Sequence, residues 1–220
     1  MKTRMTGIGK PSTIALVAAM LFSSVALAND LYIEQSGDDT AVTILQDGSQ
    51  NKIEGLTPGD NAYIGGGGNV VNIQQIGANN LISLSLNNPN MGGVGTGTAL
   101  TLNQLGNDNI STVQCGTSLA ATCNASVITQ NITGSSNDVT QTLTGGGAYS
   151  SVVNVTGDWT KVTHTQTGAG AHTGNITVNS TATSLADKNN VSLTQTGATA
   201  KSATISSSGA NINISVTQHD

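Results

Sequence analysis

The sequence has 220 residues, of which only 9% are charged and 2% aromatic, and its formal net charge is −5. Nucleic-acid binding through counterion release needs clustered Lys and Arg, but the lysines beyond residue 28 lie far apart, at Lys52, Lys161, Lys188 and Lys201. We therefore expect no nucleic-acid partner. A thick globular core is also excluded, because such a core buries several large aromatic rings.

Residues 1–28 have the layout of a secretory signal peptide. A basic start precedes a short apolar run, which ends in a small-x-small cleavage site at Ala28. The run is shorter than the roughly 20 residues that span a bilayer, so we predict cleavage rather than a membrane anchor. Cleavage would leave residues 29–220 as a secreted chain without a transmembrane segment. That chain has four basic and twelve acidic residues, a net charge of −8.

Beyond this leader, a short pattern recurs along the chain. Residues 33–37 read IEQSG, residues 44–48 read ILQDG, and similar segments follow as far as Gln218. Val, Ile and Thr alternate with polar residues in these segments, which favours strands over disorder. Residues two apart on a strand share a face. The aliphatic residues and the glutamines are therefore predicted to point into one narrow interior.

The recurring glutamines are predicted to form interior amide ladders, in which each side chain hydrogen-bonds the equivalent glutamine on the next turn of chain, as in cross-β stacks. The predicted ladder members are Gln35, Gln46, Gln75, Gln104, Gln130, Gln141, Gln166, Gln195 and Gln218. The predicted turn glycines are Gly37, Gly48, Gly77, Gly106, Gly168 and Gly197. We expect these glycines, and the Asn that often follows three places later, to supply positive φ at the corners.

Self-similar units that stack only on their neighbours indicate a repeat architecture. A unit of strand, tight turn, strand and loop adds one strand to each of two sheets. We therefore predict an all-β, amyloid-like fold for residues 29–220. It would be a β-solenoid of about six strand-turn-strand rungs forming two facing parallel sheets.

The pattern Gln-x-Gly-x-x-Asn-x-Ala-x-Val-x-Gln resembles the curlin repeat of bacterial curli fibres. Residues 35–46, 75–86 and 104–115 carry the resemblance, the first with Thr40 in place of Asn, and residues 195–200 form a weaker copy. The resemblance implies a secreted subunit, outside a bacterium or on its surface, that stacks end to end into an amyloid fibre for adhesion and biofilm. The implied partners are further copies of the chain, other curlin-like subunits and a secretion channel.

Two cysteines and three histidines are the remaining candidates for chemistry. Cys115 and Cys123 bracket a short loop in a chain predicted to be secreted, so we predict a disulfide between them. His164 falls on the predicted interior face beside Gln166, and His172 lies in a Gly/Ala segment where we expect solvation. A metal site that uses two histidines is the alternative. Since no Ser-His-Asp set or close carboxylate pair stands at motif spacing, we predict neither an enzyme nor a bound metal or cofactor.

A second class of function is a monomeric β-solenoid that binds a surface, as an adhesin or as an ice-binding protein. Outward positions within 140–144, 163–167 and 192–196 carry alternating threonines or serines, which resemble the threonine ladders of some antifreeze proteins. Threonine also simply suits exposed strand positions. The positions interpreted as earlier rungs, such as Gln74 and Asn103, lack hydroxyls, so the ladder is not expected to extend.

Overall fold

The computed structural model describes residues 16–18, 29–31, 33–34, 41–63, 65, 68–85, 98–116, 127–145 and 148–220. These residues form 21 β-strands and one short 3₁₀ helix, Leu185–Asp187. Every pairing between the described strands is parallel. In the part of the chain that is described, no helix has the length and apolar character needed to cross a membrane.

One side of the molecule, which we call face two, is a ladder of strands in chain order. Its strands are β2 (Asp30–Leu31), β5 (Lys52–Glu54), β9 (Leu81–Ser85), β12 (Ile110–Cys115), β14 (Asp138–Thr144), β17 (Thr160–Thr167), β19 (Asn189–Thr196) and β21 (Asn213–Gln218). Two further strands, β3 (Ile33–Glu34) and β6 (Ala62–Tyr63), pair with each other, and β6 also pairs with β9.

The opposite side, face one, consists of two strips. The first strip contains β1 (Leu16–Ala18), β4 (Ala41–Ile44), β7 (Val70–Val71), β10 (Ala99–Leu100), β15 (Ser150–Val152), β18 (Thr173–Ser180) and β20 (Ser202–Gly209). Val127 bridges Ala99 and Ser150 and so joins its two parts. The second strip contains β8 (Gln75–Ile76), β11 (Gln104–Leu105), β13 (Asn131–Thr133) and β16 (Asn154–Val155). Residues of this strip take positive φ, which is strained for a β-branched residue such as Ile132 (φ 72°).

The chain passes through face one, a corner, face two and a loop in each rung, which makes a β-solenoid with two facing parallel sheets, as predicted. Equivalent residues lie 29 positions apart at Gln46 and Gln75 and 23 apart at Gln195 and Gln218. Within residues 29–220, seven rungs have a described strand in both faces. The sequence predicted about six.

Aliphatic side chains from both faces fill the interior in two clusters. The first cluster includes Val42, Ile53, Leu84, Leu102, Val113 and Leu143. The second includes Ile132, Val139, Val162, Ile176, Leu193 and Ile205. Polar side chains separate the two clusters.

Glycines at the first corner, between face one and face two, are required by close stacking. A Cβ on Gly77 would collide with the carbonyl oxygen of Gly106, and a Cβ on Gly106 with that of Gly134. The expectation of positive φ is wrong for Gly77 and Gly106. At this corner the positive φ belongs to Asn79 and Asp108 (59° and 56°). The other described turn glycines, Gly48, Gly168 and Gly197, do have a positive φ.

We expect Gly77→Ala to lower the free energy of unfolding by about 1–3 kcal/mol, because the added methyl group overpacks the contact with the next rung. Gln50→Gly is the control. Gln50 is exposed and has a φ of 58°, which glycine adopts without strain, so stability should stay equal or rise slightly. Denaturant unfolding of both variants provides the comparison, and equal losses would contradict tight stacking at Gly77.

Candidate functional site

Three buried glutamines form an amide ladder at the end of face one. Gln75 Nε2 donates to Gln46 Oε1 at 2.7 Å, and Gln104 Nε2 donates to Gln75 Oε1 at 2.8 Å. Gln46 Nε2 donates to the carbonyl oxygen of Asp30 at 3.3 Å. Each amide therefore bonds the rung that precedes it along the chain.

A second ladder lies on face two, in the later rungs. Gln166 Nε2 donates to Gln195 Oε1 at 2.7 Å, and Gln195 Nε2 donates to Gln218 Oε1 at 2.7 Å. Gln218 Nε2 donates to the carbonyl oxygen of Ser202 at 3.2 Å. This ladder donates towards the later rungs, opposite to the first.

Gln130 and Gln141 are buried, but they extend neither ladder. In register, Gln104 pairs with Ile132, and Gln141 pairs with Val113 and His164. Instead, Gln130 Nε2 donates to Gln141 Oε1 at 3.1 Å. The two side chains thus bond each other across the interior, between the two ladders.

This crossing, which we call the polar seam, continues from Gln141 through Ser151 to His164. Gln141 Nε2 donates to Ser151 Oγ at 2.7 Å, and Ser151 Oγ lies 2.6 Å from His164 Nδ1. Which of Ser151 Oγ and His164 Nδ1 donates depends on the tautomer of the ring. His164 Nε2 has no hydrogen-bond partner among the described residues.

The position of His164 depends on a glycine in face one. A Cβ on Gly174 would collide with the imidazole ring of His164, so glycine leaves the room that the ring occupies. Burial lowers the pKa of His164 from 6.5 to about 4, and the Gln195 side chain opposes this shift more weakly. The ring is therefore neutral at pH 7.

His172 is fully buried, so the expectation that it is solvated is wrong. Its ring lies 5.8 Å from that of Tyr149, centroid to centroid, and its Nε2 lies 3.3 Å from the carbonyl oxygen of Thr167. The Tyr149 hydroxyl donates to the carbonyl oxygen of Thr144 at 2.8 Å. Among the described residues, no group of three or more His, Cys, Asp or Glu could hold a metal ion.

A column of buried asparagines at the first corner is the feature that sequence reasoning missed. Asn80 Nδ2 donates to the carbonyl oxygen of Gly106 at 2.7 Å, and the backbone N–H of Asn109 donates to Asn80 Oδ1 at 3.0 Å. The members are Asn51, Asn80, Asn109 and Asn137. None of the four has a positive φ, so the expectation that such asparagines supply it is wrong. Their side chains join successive rungs instead. The signal was the Asn three places after Gly48, Gly77 and Gly106.

The outer surface of face two carries hydroxyls in register. Thr142 aligns with Thr165 and Thr165 with Thr194, and the columns on either side align in the same way. We call these residues the hydroxyl array: Thr140, Thr142, Thr144, Thr163, Thr165, Thr167, Ser192, Thr194, Thr196, Ser215 and Thr217. We expected no hydroxyls at the equivalent positions of earlier rungs. This expectation is wrong, because Thr112 of β12 aligns with Thr140.

The terminal rung, formed by β20 and β21, is less covered than the rung before it. Val191 and Leu193 of β19 are 2% and 0% exposed, whereas the equivalent Ile214 and Val216 are only partly buried. Among the described strands, β20 and β21 are each paired on one side only. This edge therefore presents unpaired backbone groups and apolar side chains.

Three predicted site residues, Gln35, Gly37 and Cys123, lie outside the described residues. Cys115 is buried and disulfide-bonded. No protein-family model, curated protein or solved structure matches this chain.

We expect the buried His164 to make the folded protein less stable in weak acid. Its folded pKa of about 4 lies below its ordinary value of 6.5, so the unfolded chain binds a proton that the folded chain rejects. Protonation of His164 therefore does not lower the free energy of unfolding above pH 6.5. Between pH 6.5 and 4 it lowers that free energy progressively, by about 3 kcal/mol in total.

Denaturant unfolding at several pH values between 7 and 4 tests this prediction against His164→Leu. Leucine is the matched replacement, because Leu193 holds the same position on the next rung. The variant should show a shallower decline in stability with acid. Parallel declines would contradict a neutral, buried His164.

Proposed function

We propose that this chain is a secreted structural subunit that assembles into extracellular curli-like amyloid fibres, which support bacterial adhesion and biofilm. The observation that carries the proposal is the uncovered terminal rung. β20 and β21 leave one edge unpaired among the described strands, with Ile214 and Val216 partly exposed beside it. Unpaired strand edges are templates for further strands.

The repeating columns favour another copy of the same chain as the partner. On the last two rungs the interior positions carry similar residues in register, as Val191 and Ile214 do. A rung from a second copy would bring the same residue types to the same columns. It would pair the free backbone groups and cover Ile214 and Val216.

The opposite end of face one supports the same proposal. β1 lies within the predicted signal peptide and pairs in parallel with β4. Cleavage after Ala28 would remove β1 and leave the edge of β4 open to another chain. Both ends of the stack would then be available for assembly.

The proposed role is structural rather than catalytic, and it needs no cofactor. The partners are further copies of the chain, and the curlin resemblance adds other curlin-like subunits and a secretion channel as candidates. The place of action is the outside or the surface of the cell.

Assembly of the purified protein tests this function. We expect a lag phase in thioflavin fluorescence, seeding by preformed product, and fibre diffraction near 4.7 and 10 Å. A protein that stays soluble with a strand-rich spectrum would contradict the proposal.

Gln218→Ala should slow seeded growth about tenfold, because it removes a hydrogen-bonded ladder member from the terminal rung. Thr57→Ala, in an exposed loop away from that rung, is the control and should leave growth unchanged. Equal rates for the two variants would argue against stacking through the terminal rung.

A second candidate function is binding of ice by a monomeric solenoid, and the hydroxyl array favours it. The array contains no charged or aromatic side chain, and its strands fix spacings of about 4.8 Å between rungs and about 6.7 Å along each strand. Within the array one hydroxyl pair bonds internally, Thr144 with Thr167 at 3.1 Å. Threonine is stiff at χ1, so a periodic surface of ordered water is a fitting partner.

Ice-crystal shaping and thermal hysteresis test this candidate on soluble protein. Thr165→Lys places a charge in the middle of the array and should abolish shaping. Thr177→Lys, on the outer surface of face one, is the control and should keep it. Unshaped ice with the unaltered protein would exclude this function.

A further inference from the structure

The second corner, which follows face two, repeats a tightly stacked glycine. Gly145, Gly168 and Gly197 occupy it on successive rungs, with φ of 125°, 121° and 125°. A Cβ on Gly145 would collide with the carbonyl oxygen of Gly168, and a Cβ on Gly168 with that of Gly197. Each rung can follow the last only because this column lacks side chains.

The terminal rung breaks this column with an acidic residue. In register, Gln195 pairs with Gln218, so Asp220 stands two places further on, where Gly197 stands in the rung before. A Cβ on Gly197 would collide with the carboxylate of Asp220 rather than with a peptide carbonyl. The carboxylate therefore fills the space that the next corner fills elsewhere.

The carboxylate also takes over the hydrogen bonds of that missing corner. One rung earlier, the backbone N–H of Gly170 donates to the carbonyl oxygen of Gly197 at 3.3 Å. At the equivalent place, the backbone N–H of Thr199 donates to Asp220 Oδ2 at 3.2 Å. The backbone N–H of Ala198 donates to the same oxygen. Asp220 thus imitates a peptide carbonyl of a further rung.

A cation and a hydroxyl hold the carboxylate in place. Lys201 Nζ forms an ion pair with Asp220 Oδ1, and Thr199 Oγ1 donates to the same oxygen. Lys201, then Thr199 and Ala198, hold the pKa of Asp220 well below its usual range. The carboxylate is therefore charged at neutral pH.

We propose that Asp220 caps the second corner of the terminal rung and competes there with a strand from a second copy of this chain. This inference rests on the proposed assembly function. In the sequence, residues 31–37 place Leu, Ile, Gln and Gly at the alternate spacing of residues 191–197, whereas residues 214–220 end that pattern in Asp. A strand that pairs with β21 in register would meet both the carboxylate and the Cβ of Asp220. Asp220 must move before the corners can stack.

Peptide binding tests the cap without requiring fibres. The probe is a fluorescent peptide with the sequence of residues 29–37, and its dissociation constant is measured by anisotropy against the purified protein. Asp220→Gly should bind the peptide about tenfold more tightly than the unaltered protein. Asp220→Asn should lie between them, because its amide oxygen still accepts from Ala198 while the ion pair with Lys201 is lost.

Asp60→Gly is the matched control, since it removes one exposed carboxylate from a loop and should leave binding unchanged. Amide exchange at Ala198 and Thr199 should also quicken in Asp220→Gly while the rest of the chain keeps its protection. Equal peptide affinities for Asp220→Gly and the unaltered protein, or binding to neither, would overturn the proposal.

Thioflavin kinetics on the same proteins separate this inference from the assembly function. Tighter peptide binding by Asp220→Gly without any fibre would support the cap and refute fibre formation. Fibres together with unchanged peptide affinity would support assembly and refute the cap.

Discussion

Parallel hydrogen bonding in register between successive rungs is the constraint on which the whole structure depends. It places each residue directly against its equivalent on the next rung, so each column must tolerate contact between like side chains. Amides meet this condition because each donates to the amide beside it, as Gln75 does to Gln46. Aliphatic residues meet it by packing, and glycine meets it where backbones touch, as at Gly77. A chain with few charges follows from the same constraint, since stacked like charges repel.

The polar seam marks where this constraint is met least well. The early ladder lies on face one and the late ladder on face two, so no single column of glutamines joins them. Gln130 and Gln141 bridge the change by bonding each other instead. Buried polar atoms without described partners gather here, including Gln130 Oε1, Gln166 Oε1 and His164 Nε2. Each such atom costs about 1–3 kcal/mol.

The sequence predicted the parallel solenoid because the two-residue alternation and the repeated glutamines are local signals. It did not reveal which glutamines share a column, since that depends on rung lengths that change from 29 to 23 residues. The same uncertainty hid the alignment of Thr112 with Thr140 and placed Gln74 on the wrong face. His172 was expected in solvent because its Gly/Ala surroundings resemble a loop, whereas packing against Tyr149 buries it. Five of the six predicted turn glycines lie in the described part of the chain. The physical reason for them is partly different from the predicted one, because close contact between rungs cannot be read from one strand.

The strand edges at the two ends of the stack are covered in different ways. At one end, the strand within the predicted leader covers β4, and signal cleavage would remove that cover for good. At the other end, Asp220 and Lys201 form a cover that is reversible, because it consists of an ion pair and hydrogen bonds. A subunit built in this way would join its neighbours with a defined polarity, since the open edge of one copy meets the capped edge of the next. Under the proposed assembly, the acidic residue in the glycine column would delay stacking without changing the columns that hold each rung together.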